Sequence, residues 1–310
     1  MIAPQRICHG NGITLDYIGR IFRPPSESES LLLQVSTGCS HNQCTYCAMY
    51  EMDEQKFRIK PFGTVEKDID EAAALAEAGL PIRRVFLCDG DALILPTDHL
   101  VRILQLLRER IPTVRRVGIY GDARSILRKS HDELVQLREL GLGIVYHGVE
   151  TGDDPTLERI VKGSTADDAV RSAARLRVAG LRHSVMVMLG IGGTERSAEH
   201  AVATADLLTA MDPPFVGALT TTVIPGTPLA REQADGAFTL PNTWGLLEEL
   251  RTIVRDARFT RCRFHSNHAS NYLPLSLNLP ADRDRALEAL DTVLAERNPD
   301  DLRPEHLRGL

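Results

Sequence analysis

Short apolar runs alternate along this chain with longer stretches in which apolar residues recur every three or four positions. The short runs are rich in Val, Ile, Leu and Phe, which is typical of strands buried in a sheet. We therefore predict six strands in the first three quarters of the chain, at residues 31–36, 84–88, 116–120, 143–149, 184–189 and 215–223.

The longer stretches have the period of amphipathic helices, and several carry residues that favour helix ends. Thr97 and Ser130 stand where an N-cap is expected, and Gly79, Gly141 and Gly180 stand where a helix would end. We predict helices between the strands at residues 65–79, 97–110, 130–141 and 164–180, and two later ones at residues 242–258 and 282–297.

Strands that alternate with helices favour a parallel sheet with right-handed crossovers. The predicted fold class is therefore α/β, as a partial (β/α)6 TIM-like barrel with a C-terminal covering segment. In such a barrel the reactive groups lie at the carboxyl ends of the strands. An open doubly wound sheet is the alternative, because periodicity does not show whether the first and last strands curl together.

The pattern also divides the chain into three parts. Residues 1–30 contain two adjacent prolines and a Ser/Glu run, which indicates a polar leading segment rather than a domain. Residues 31–228 form the predicted barrel. Residues 229–310 no longer repeat the strand and helix pattern, and we interpret them as a cover over the barrel that contacts substrate.

Composition narrows the class of protein. The chain has 310 residues, 43% of them hydrophobic, and a formal net charge of −6, which argues against a broad phosphate-binding surface. No apolar stretch approaches the roughly 20 residues that span a bilayer. Six cysteines without a secretory leader favour a reducing cytoplasm over a disulfide framework. We expect a cytoplasmic protein that does not bind membranes and is unlike nucleic-acid-binding proteins in charge.

Three of the cysteines, Cys39, Cys44 and Cys47, follow directly on the first predicted strand. Three thiolates on a four-iron cluster leave one iron open to bind another molecule, whereas four would saturate it. A zinc site with His41 as the fourth ligand is an alternative. Cysteines that simply belong to the core are another.

This cysteine loop resembles that of the radical S-adenosylmethionine (SAM) superfamily, whose members carry it after the first strand of a partial βα barrel. Four residues separate Cys39 from Cys44, where most members have three, so the loop is a variant. Tyr46 matches the aromatic position of the family, near the adenine of SAM. The resemblance implies that the three cysteines hold a [4Fe–4S] cluster.

Later segments resemble the same family in the order of the strands. "GVETG" and "VIPGTPL" are similar to the branch that contains the anaerobic coproporphyrinogen oxidases and methylthiotransferases. The resemblance implies contacts with the amino group, ribose, carboxylate and adenine of SAM. The residues so assigned are Gly90 and Asp91 (amino group), Glu150 (ribose), Lys162 (carboxylate), and Gly190, Val223 and Ile224 (adenine).

The family resemblance implies an enzyme that reductively cleaves SAM to a 5′-deoxyadenosyl radical, which abstracts hydrogen from a substrate. It further implies an external one-electron reductant such as flavodoxin or ferredoxin. The remaining cysteines are scattered, and the chain is compact and acidic, so we expect a small-molecule substrate and an oxidoreductase, lyase or mutase reaction. Radical modification of RNA or peptide is one alternative, and a non-enzymatic iron–sulfur redox or sensor protein is another.

A polar cluster in the C-terminal part is dense in hydrogen-bonding side chains. Histidines titrate near neutral pH and serve as acid–base groups, although they also serve as hydrogen-bonded scaffolding. The catalytic candidates here are His265, His268 and Tyr272, and the substrate-binding candidates are Arg263, Asn267 and Asn271.

Overall fold

The structure is a computed structural model that describes residues 5–9, 13–50 and 56–309. The predicted leading segment is thus described only in part, since residues 1–4 and 10–12 lie outside the described residues. Its described part contains an antiparallel pair of strands, β1 (Gln5–His9) and β2 (Ile13–Tyr17). The polar composition of this segment did not predict these strands.

The following elements are described beyond that pair. The strands are β3 (Leu31–Gln34), β4 (Ser36–Thr37), β5 (Arg58–Ile59), β6 (Arg84–Cys88), β7 (Arg116–Tyr120), β8 (Leu142–Glu150), β9 (Arg182–Leu189), β10 (Phe215–Thr220), β11 (Cys262–His265) and β12 (Ser276–Leu279). The helices are α1 (Phe62–Glu77), α2 (Thr97–Arg110), α3 (Ala123–Arg128), α4 (His131–Glu139), α5 (Asp154–Arg159), α6 (Ala166–Val178), α7 (Ser197–Met211), α8 (Pro228–Ala234), α9 (Thr243–Asp256) and α10 (Arg283–Glu296).

All six predicted strands and all six predicted helices are confirmed. The bounds of β6, β7 and α2 match to the residue. Ser130 caps α4 as expected, in a reciprocal capping box with Glu133. The prediction for Thr97 was wrong, because Pro96 occupies the N-cap of α2 and the Thr97 hydroxyl instead donates to Glu133 at 2.5 Å.

The chain divides into two compact units. The first comprises the described residues of Met1–Asn42, Met49–Tyr146 and Arg175–Arg182. Its sheet has the order β3-β6-β7-β8, and all these strands are parallel. Its core lies between this sheet and the helices, where α2 contributes Leu100, Ile103, Leu104 and Leu107 at helical spacing.

The second unit comprises Gln43–Ala48, His147–Ala174 and His183–Leu310. In it β9 pairs with β10 and β10 with β11, both in parallel, and β12 closes the order as an antiparallel strand. The segment predicted as a cover therefore supplies two strands to a sheet. The predicted limits at residues 30 and 228 stay predictions.

Helix α9 shows why the C-terminal part belongs to the core of the second unit. Its Leu246, Leu250 and Ile253 are buried in the same apolar cluster as Val187 of β9 and Val216 of β10. No helix in the described part of the chain is long and apolar enough to cross a membrane.

Candidate functional site

The first part of the cysteine loop follows β4 and lies against the end of β6 in the first unit. The Gly90 N–H donates to the Gly38 carbonyl at 3.1 Å. A Cβ at Gly90 would stand 2.8 Å from Cβ of Cys39 and 2.8 Å from the ring of Tyr50. Only glycine fits there, so Gly90 allows Cys39 to pack on the strand end.

Asp91, the next predicted cofactor residue, is almost fully buried. Its Oδ2 accepts from the Ser40 hydroxyl at 2.6 Å, and its Oδ1 accepts from the Asp122 N–H at 3.3 Å. Burial, together with the negative charge of Asp122, raises the pKa of the Asp91 carboxyl to about 7. Both of its oxygens thus contact groups of the protein.

The second part of the loop carries Cys44 and Cys47 and belongs to the second unit. The Cys47 N–H donates to the Cys44 carbonyl at 3.1 Å, which forms a turn. Between them, Thr45 donates its N–H to Ile160 at 3.0 Å and accepts from the Leu229 N–H at 2.9 Å. These backbone bonds fix the turn to the ends of α5 and α8.

All three loop cysteines are half-buried, and none is in a disulfide. Within the described part of the chain, no three His, Cys, Asp or Glu side chains are grouped closely enough to hold a single metal ion. A four-iron cluster needs its thiolates farther apart than the ligands of a single ion, because each thiolate binds a separate iron. The donor set of three sulfurs fits such a cluster.

His41, the fourth ligand of the alternative zinc site, makes a defined contact in the first unit. Its Nδ1 lies 2.8 Å from Nη1 of Arg124. A guanidinium only donates, so Nδ1 is the acceptor and the ring proton lies on Nε2. This bond turns Nδ1 towards Arg124.

Glu150 and Lys162, assigned separately to the ribose and the carboxylate of SAM, form an ion pair in the second unit. Lys162 Nζ donates to Glu150 Oε1 at 2.7 Å, and both side chains are largely buried. Glu150 ends β8 with φ at 64°, an uncommon backbone conformation for this residue type. The pair offers a carboxylate to hydroxyl groups and an ammonium to a carboxylate.

Gly148 was missed by the sequence analysis. A Cβ at this position would stand 2.3 Å from Oε1 of Glu150 and 3.5 Å from Nζ of Lys162. The glycine therefore makes room for the ion pair on the face of β8 that carries Glu150. The alternation of a strand could have indicated this, because positions 148 and 150 share a face.

Tyr46 lies in the same region as Glu150. Burial raises the pKa of the Tyr46 phenol well above its usual value, and the Glu150 charge raises it further. The ring packs against a small apolar cluster that also includes Val223, Leu157 and Ile191. Tyr46, Val223 and Glu150 thus occupy one neighbourhood in the second unit.

The other two adenine candidates are more constrained by the fold. The Ile224 carbonyl accepts from the hydroxyl and N–H of Thr227, which begins α8. The Gly190 N–H donates to Glu249 Oε2 at 2.6 Å, and side chains of Leu240 and Leu246 fill the space beside its Cα. Gly190 therefore serves close packing of the C-terminal part.

A buried polar network around Glu249 was also missed. Its other oxygen accepts from the Ser197 hydroxyl at 2.6 Å, and His200 Nε2 lies 3.5 Å from Oε2. His200 Nδ1 lies 2.7 Å from the hydroxyl of Thr151, the residue after Glu150. The network joins α9 and α7 to the end of β8, a link between distant residues that no local pattern shows.

The substrate and catalytic candidates of the C-terminal part differ in their exposure and in their hydrogen bonds. Arg263 and Asn267 are exposed, and Asn267 and His265 approach the Ser276 hydroxyl at 3.4 and 3.2 Å. Burial, and then the charge of Arg263, lowers the pKa of His265. Arg263 and Asn267 are thus accessible to solvent, and His265 is partly so.

The remaining candidates are engaged in holding the fold. Asn271 is buried and donates to the Ala218 carbonyl at 2.8 Å, while its oxygen accepts from Thr220 at 2.8 Å. His268 Nδ1 accepts from the Ser270 N–H at 3.1 Å. The Tyr272 hydroxyl donates to Glu305 at 2.8 Å. These contacts agree with scaffolding, the alternative that the sequence left open for the histidines.

The two other described cysteine side chains, Cys88 and Cys262, are buried. Burial raises the pKa of Cys88 well above its usual value and that of Cys262 to about 12. Both are therefore neutral core thiols rather than thiolate ligands.

Comparison with known proteins extends these observations. The family model described as Radical SAM superfamily matches residues 33–206, more than half of the chain. A biotin synthase of Dechloromonas aromatica is 26% identical over 287 residues, which cover 86% of this chain and 83% of that protein. The alignment thus covers most of both chains.

Two solved structures have similar folds at low sequence identity. The radical SAM methyltransferase TsrM of Kitasatospora setae aligns with a TM-score of 0.54 at 19% identity, covering 68% of this chain and 41% of that one. Coproporphyrinogen III oxidase of Escherichia coli, a radical SAM enzyme, aligns with a TM-score of 0.54 at 16% identity, covering 73% and 51%. The chain thus spans about half of these proteins or less. The likeness confirms the α/β partial-barrel class over the doubly wound alternative.

Proposed function

The chain belongs to the radical SAM superfamily, and we propose that it cleaves SAM reductively at a cluster held by Cys39, Cys44 and Cys47. As a member, it is an enzyme that uses a [4Fe–4S] cluster, SAM, a substrate and a reductant. Membership of this family argues against the two alternatives, a zinc site and a non-enzymatic redox or sensor protein. When bound, the cluster and SAM supply a 5′-deoxyadenosyl radical that abstracts hydrogen from the substrate.

The paired Glu150 and Lys162 carry this proposal most directly. They present an acceptor and a cation side by side, and SAM offers ribose hydroxyls and a carboxylate to match. Tyr46 and Val223 supply apolar surface for the adenine nearby, and Ile224 follows in the same segment. Gly90 lets the backbone approach closely beside Cys39, where the amino group would lie. The chain's part is to bind and orient SAM.

We propose a small-molecule substrate and an oxidoreductase, lyase or mutase reaction. The similar protein of Dechloromonas aromatica is named for making biotin, a small molecule, which supports this class. The net charge of −6 disfavours RNA. The exposed Arg263 and Asn267, with half-buried His265, are the side chains we assign to substrate contact, and we expect a cytoplasmic flavodoxin or ferredoxin to supply the electron.

The substrate class is tested by the rate of 5′-deoxyadenosine formation with the reconstituted, reduced protein. Three additions are compared, namely the ultrafiltered small-molecule fraction of a cell extract, total RNA, and a mixture of peptides. We expect the small-molecule fraction alone to raise the rate, and Arg263→Ala to weaken that rise. Stimulation by RNA or peptides alone would make the protein a macromolecule-modifying member instead.

A further inference from the structure

We propose that Asp91, Asp122 and Arg124 are positioning residues that hold the first half of the variant cysteine loop in place for cluster binding. The inference rests on the proposed function, because it assumes that Cys39 is a cluster ligand. It assigns Asp91 to the loop rather than to SAM. None of the three residues is proposed to touch iron.

The first contact is between Ser40 and Asp91. The Ser40 hydroxyl donates to Asp91 Oδ2 at 2.6 Å. Ser40 directly follows Cys39, so this bond fixes the backbone next to the first thiol. Asp91 itself is anchored at the end of β6 and is 1% exposed, so it provides a fixed acceptor.

The second contact is between His41 and Arg124, whose Nη1 and Nδ1 atoms are 2.8 Å apart. Arg124 is oriented by Asp122, which accepts from its Nε at 2.8 Å and also from its Nη2. Asp122 caps α3 by accepting from the Ser125 N–H at 2.8 Å. The guanidinium therefore presents Nη1 to the loop in one orientation.

A hydrogen bond between Asp122 and Asp91 links the two contacts. The Asp122 N–H donates to Asp91 Oδ1 at 3.3 Å, so the acceptor of Ser40 and the holder of Arg124 bind each other. A third tether lies next in sequence, where Asn42 Nδ2 donates to the Tyr50 carbonyl at 3.1 Å. Asn42 has φ at 46°, which asparagine tolerates better than most residues.

Three consecutive side chains of the loop, Ser40 to Asn42, are thus held by the protein itself. Four residues stand between Cys39 and Cys44, and a longer loop loses more conformational entropy when it is ordered. Tethers that order the loop beforehand lower that cost at the moment of cluster binding. Outer contacts that orient metal ligands are worth about 10-fold to 100-fold in metal affinity.

The hydrogen bonds of the Asp91 carboxylate also bear on how SAM is bound. Its Oδ2 serves Ser40 and its Oδ1 serves Asp122, as described above. A carboxylate with both oxygens engaged in this way would have to release the loop in order to reach a ligand. We therefore assign the recognition of the amino group to the backbone around Gly90.

The test compares Ser40→Ala and Arg124→Gln with Arg128→Gln, an exposed arginine on the same helix as Arg124. Each protein is reconstituted anaerobically and challenged with an iron chelator, and the half-life of the cluster absorbance is measured. The affinity for SAM is measured separately by calorimetry on protein that retains its cluster. Thermal unfolding of the cluster-free proteins checks that the fold is intact.

We expect Ser40→Ala and Arg124→Gln to shorten the cluster half-life about 10-fold, with Arg128→Gln equal to wild type. We expect SAM affinity to stay within about twofold in all three, because the loop contacts act on the cluster ligand. Arg124→Lys should restore part of the half-life, since a lysine still donates to His41 but lacks the fork that Asp122 holds.

Wild-type half-lives in both loop variants would overturn the inference. A retained cluster with SAM affinity about tenfold weaker in Arg124→Gln would also overturn it, and would make Arg124 a cofactor ligand. If wild-type protein itself assembles no cluster, the proposed function fails instead. A wild type that cleaves SAM while the variants behave like it would refute this inference alone.

Discussion

At the end of β8, single residues shape the site that we propose for SAM. Glu150 and Lys162 form an ion pair, so neither charge is buried alone. Gly148 leaves the space that this pair occupies. If the pair binds SAM as proposed, a ligand with both a hydroxyl and a carboxylate would replace the one Glu150–Lys162 contact with two.

We predict that Gly148→Ala weakens SAM binding about tenfold while the cluster is retained, because the new Cβ displaces the Glu150 carboxylate from its position. Anaerobic calorimetry measures the affinity, and visible absorbance measures the cluster. Gly63→Ala is the matched control, since nothing lies within 4 Å of a Cβ at that position. Equal affinities in wild type and Gly148→Ala would refute the role of Gly148, as would equal losses in the two variants.

At the level of elements, helix α9 is held to its neighbours by one buried polar side chain. Glu249 accepts from the Gly190 N–H, at the end of β9, and from the Ser197 hydroxyl of α7. Burial raises the pKa of Glu249 from 4.5 to about 7, and burial lowers that of His200 to about 4. The folded protein therefore favours a neutral Glu249 beside a neutral His200. A raised carboxyl pKa means that the folded chain holds this proton more tightly than the unfolded chain does.

Between about pH 4.5 and about pH 7 the unfolded chain has released the Glu249 proton and the folded chain keeps it, so the contribution of Glu249 to the free energy of unfolding falls as the pH rises. The lowered pKa of His200 contributes in the opposite direction between about pH 4 and pH 6.5. We predict that Glu249→Gln removes the pH-dependent contribution of Glu249 to the free energy of unfolding, which is on the order of 3 kcal/mol across its range. Urea unfolding at several pH values measures it. Glu248→Gln, at the exposed neighbour on α9, should follow the wild-type curve. Parallel curves for wild type and Glu249→Gln would contradict the prediction.

The elements also show what a sequence can predict. The bounds of β6 and β7 could be predicted because apolar runs between arginines and acidic turns define them sharply, and Ser130 with Glu133 defines the start of α4. Strands β11 and β12 have only four residues each in a polar segment, too few to show a period. Their formation depends on pairing with β10 and with each other, which is a tertiary effect.

The candidate site divides in the same way. The cysteines, Glu150 and Lys162 could be proposed as site residues from the sequence because they follow predicted strands in a recognisable order. The roles of Asp91 and Asn271 depend on partners distant in sequence, Asp122 and Ala218, so only the structure shows them. The density of polar residues around Asn271 indicated hydrogen bonding correctly but did not indicate that its partner is the chain itself.

At the scale of the whole molecule, the family match, the parallel sheets and the chemistry of the loop all indicate a radical SAM enzyme. Fold similarity at 16–19% identity does not define a reaction, because one fold supports many chemistries. The cysteine loop and the Glu150 region are therefore the parts of the chain from which the proposed activity is argued.

Whether the chain cleaves SAM at the proposed cluster is tested by 5′-deoxyadenosine formation, measured by chromatography on the anaerobically reconstituted, chemically reduced protein with SAM. We predict that the wild type forms the nucleoside. We expect Cys44→Ala, which removes a proposed ligand, to form none and to lose the cluster absorbance, while Cys262→Ala, at a buried core thiol, forms it. Absence of the nucleoside from wild type with an intact cluster would contradict the account, as would full cluster retention and turnover in Cys44→Ala.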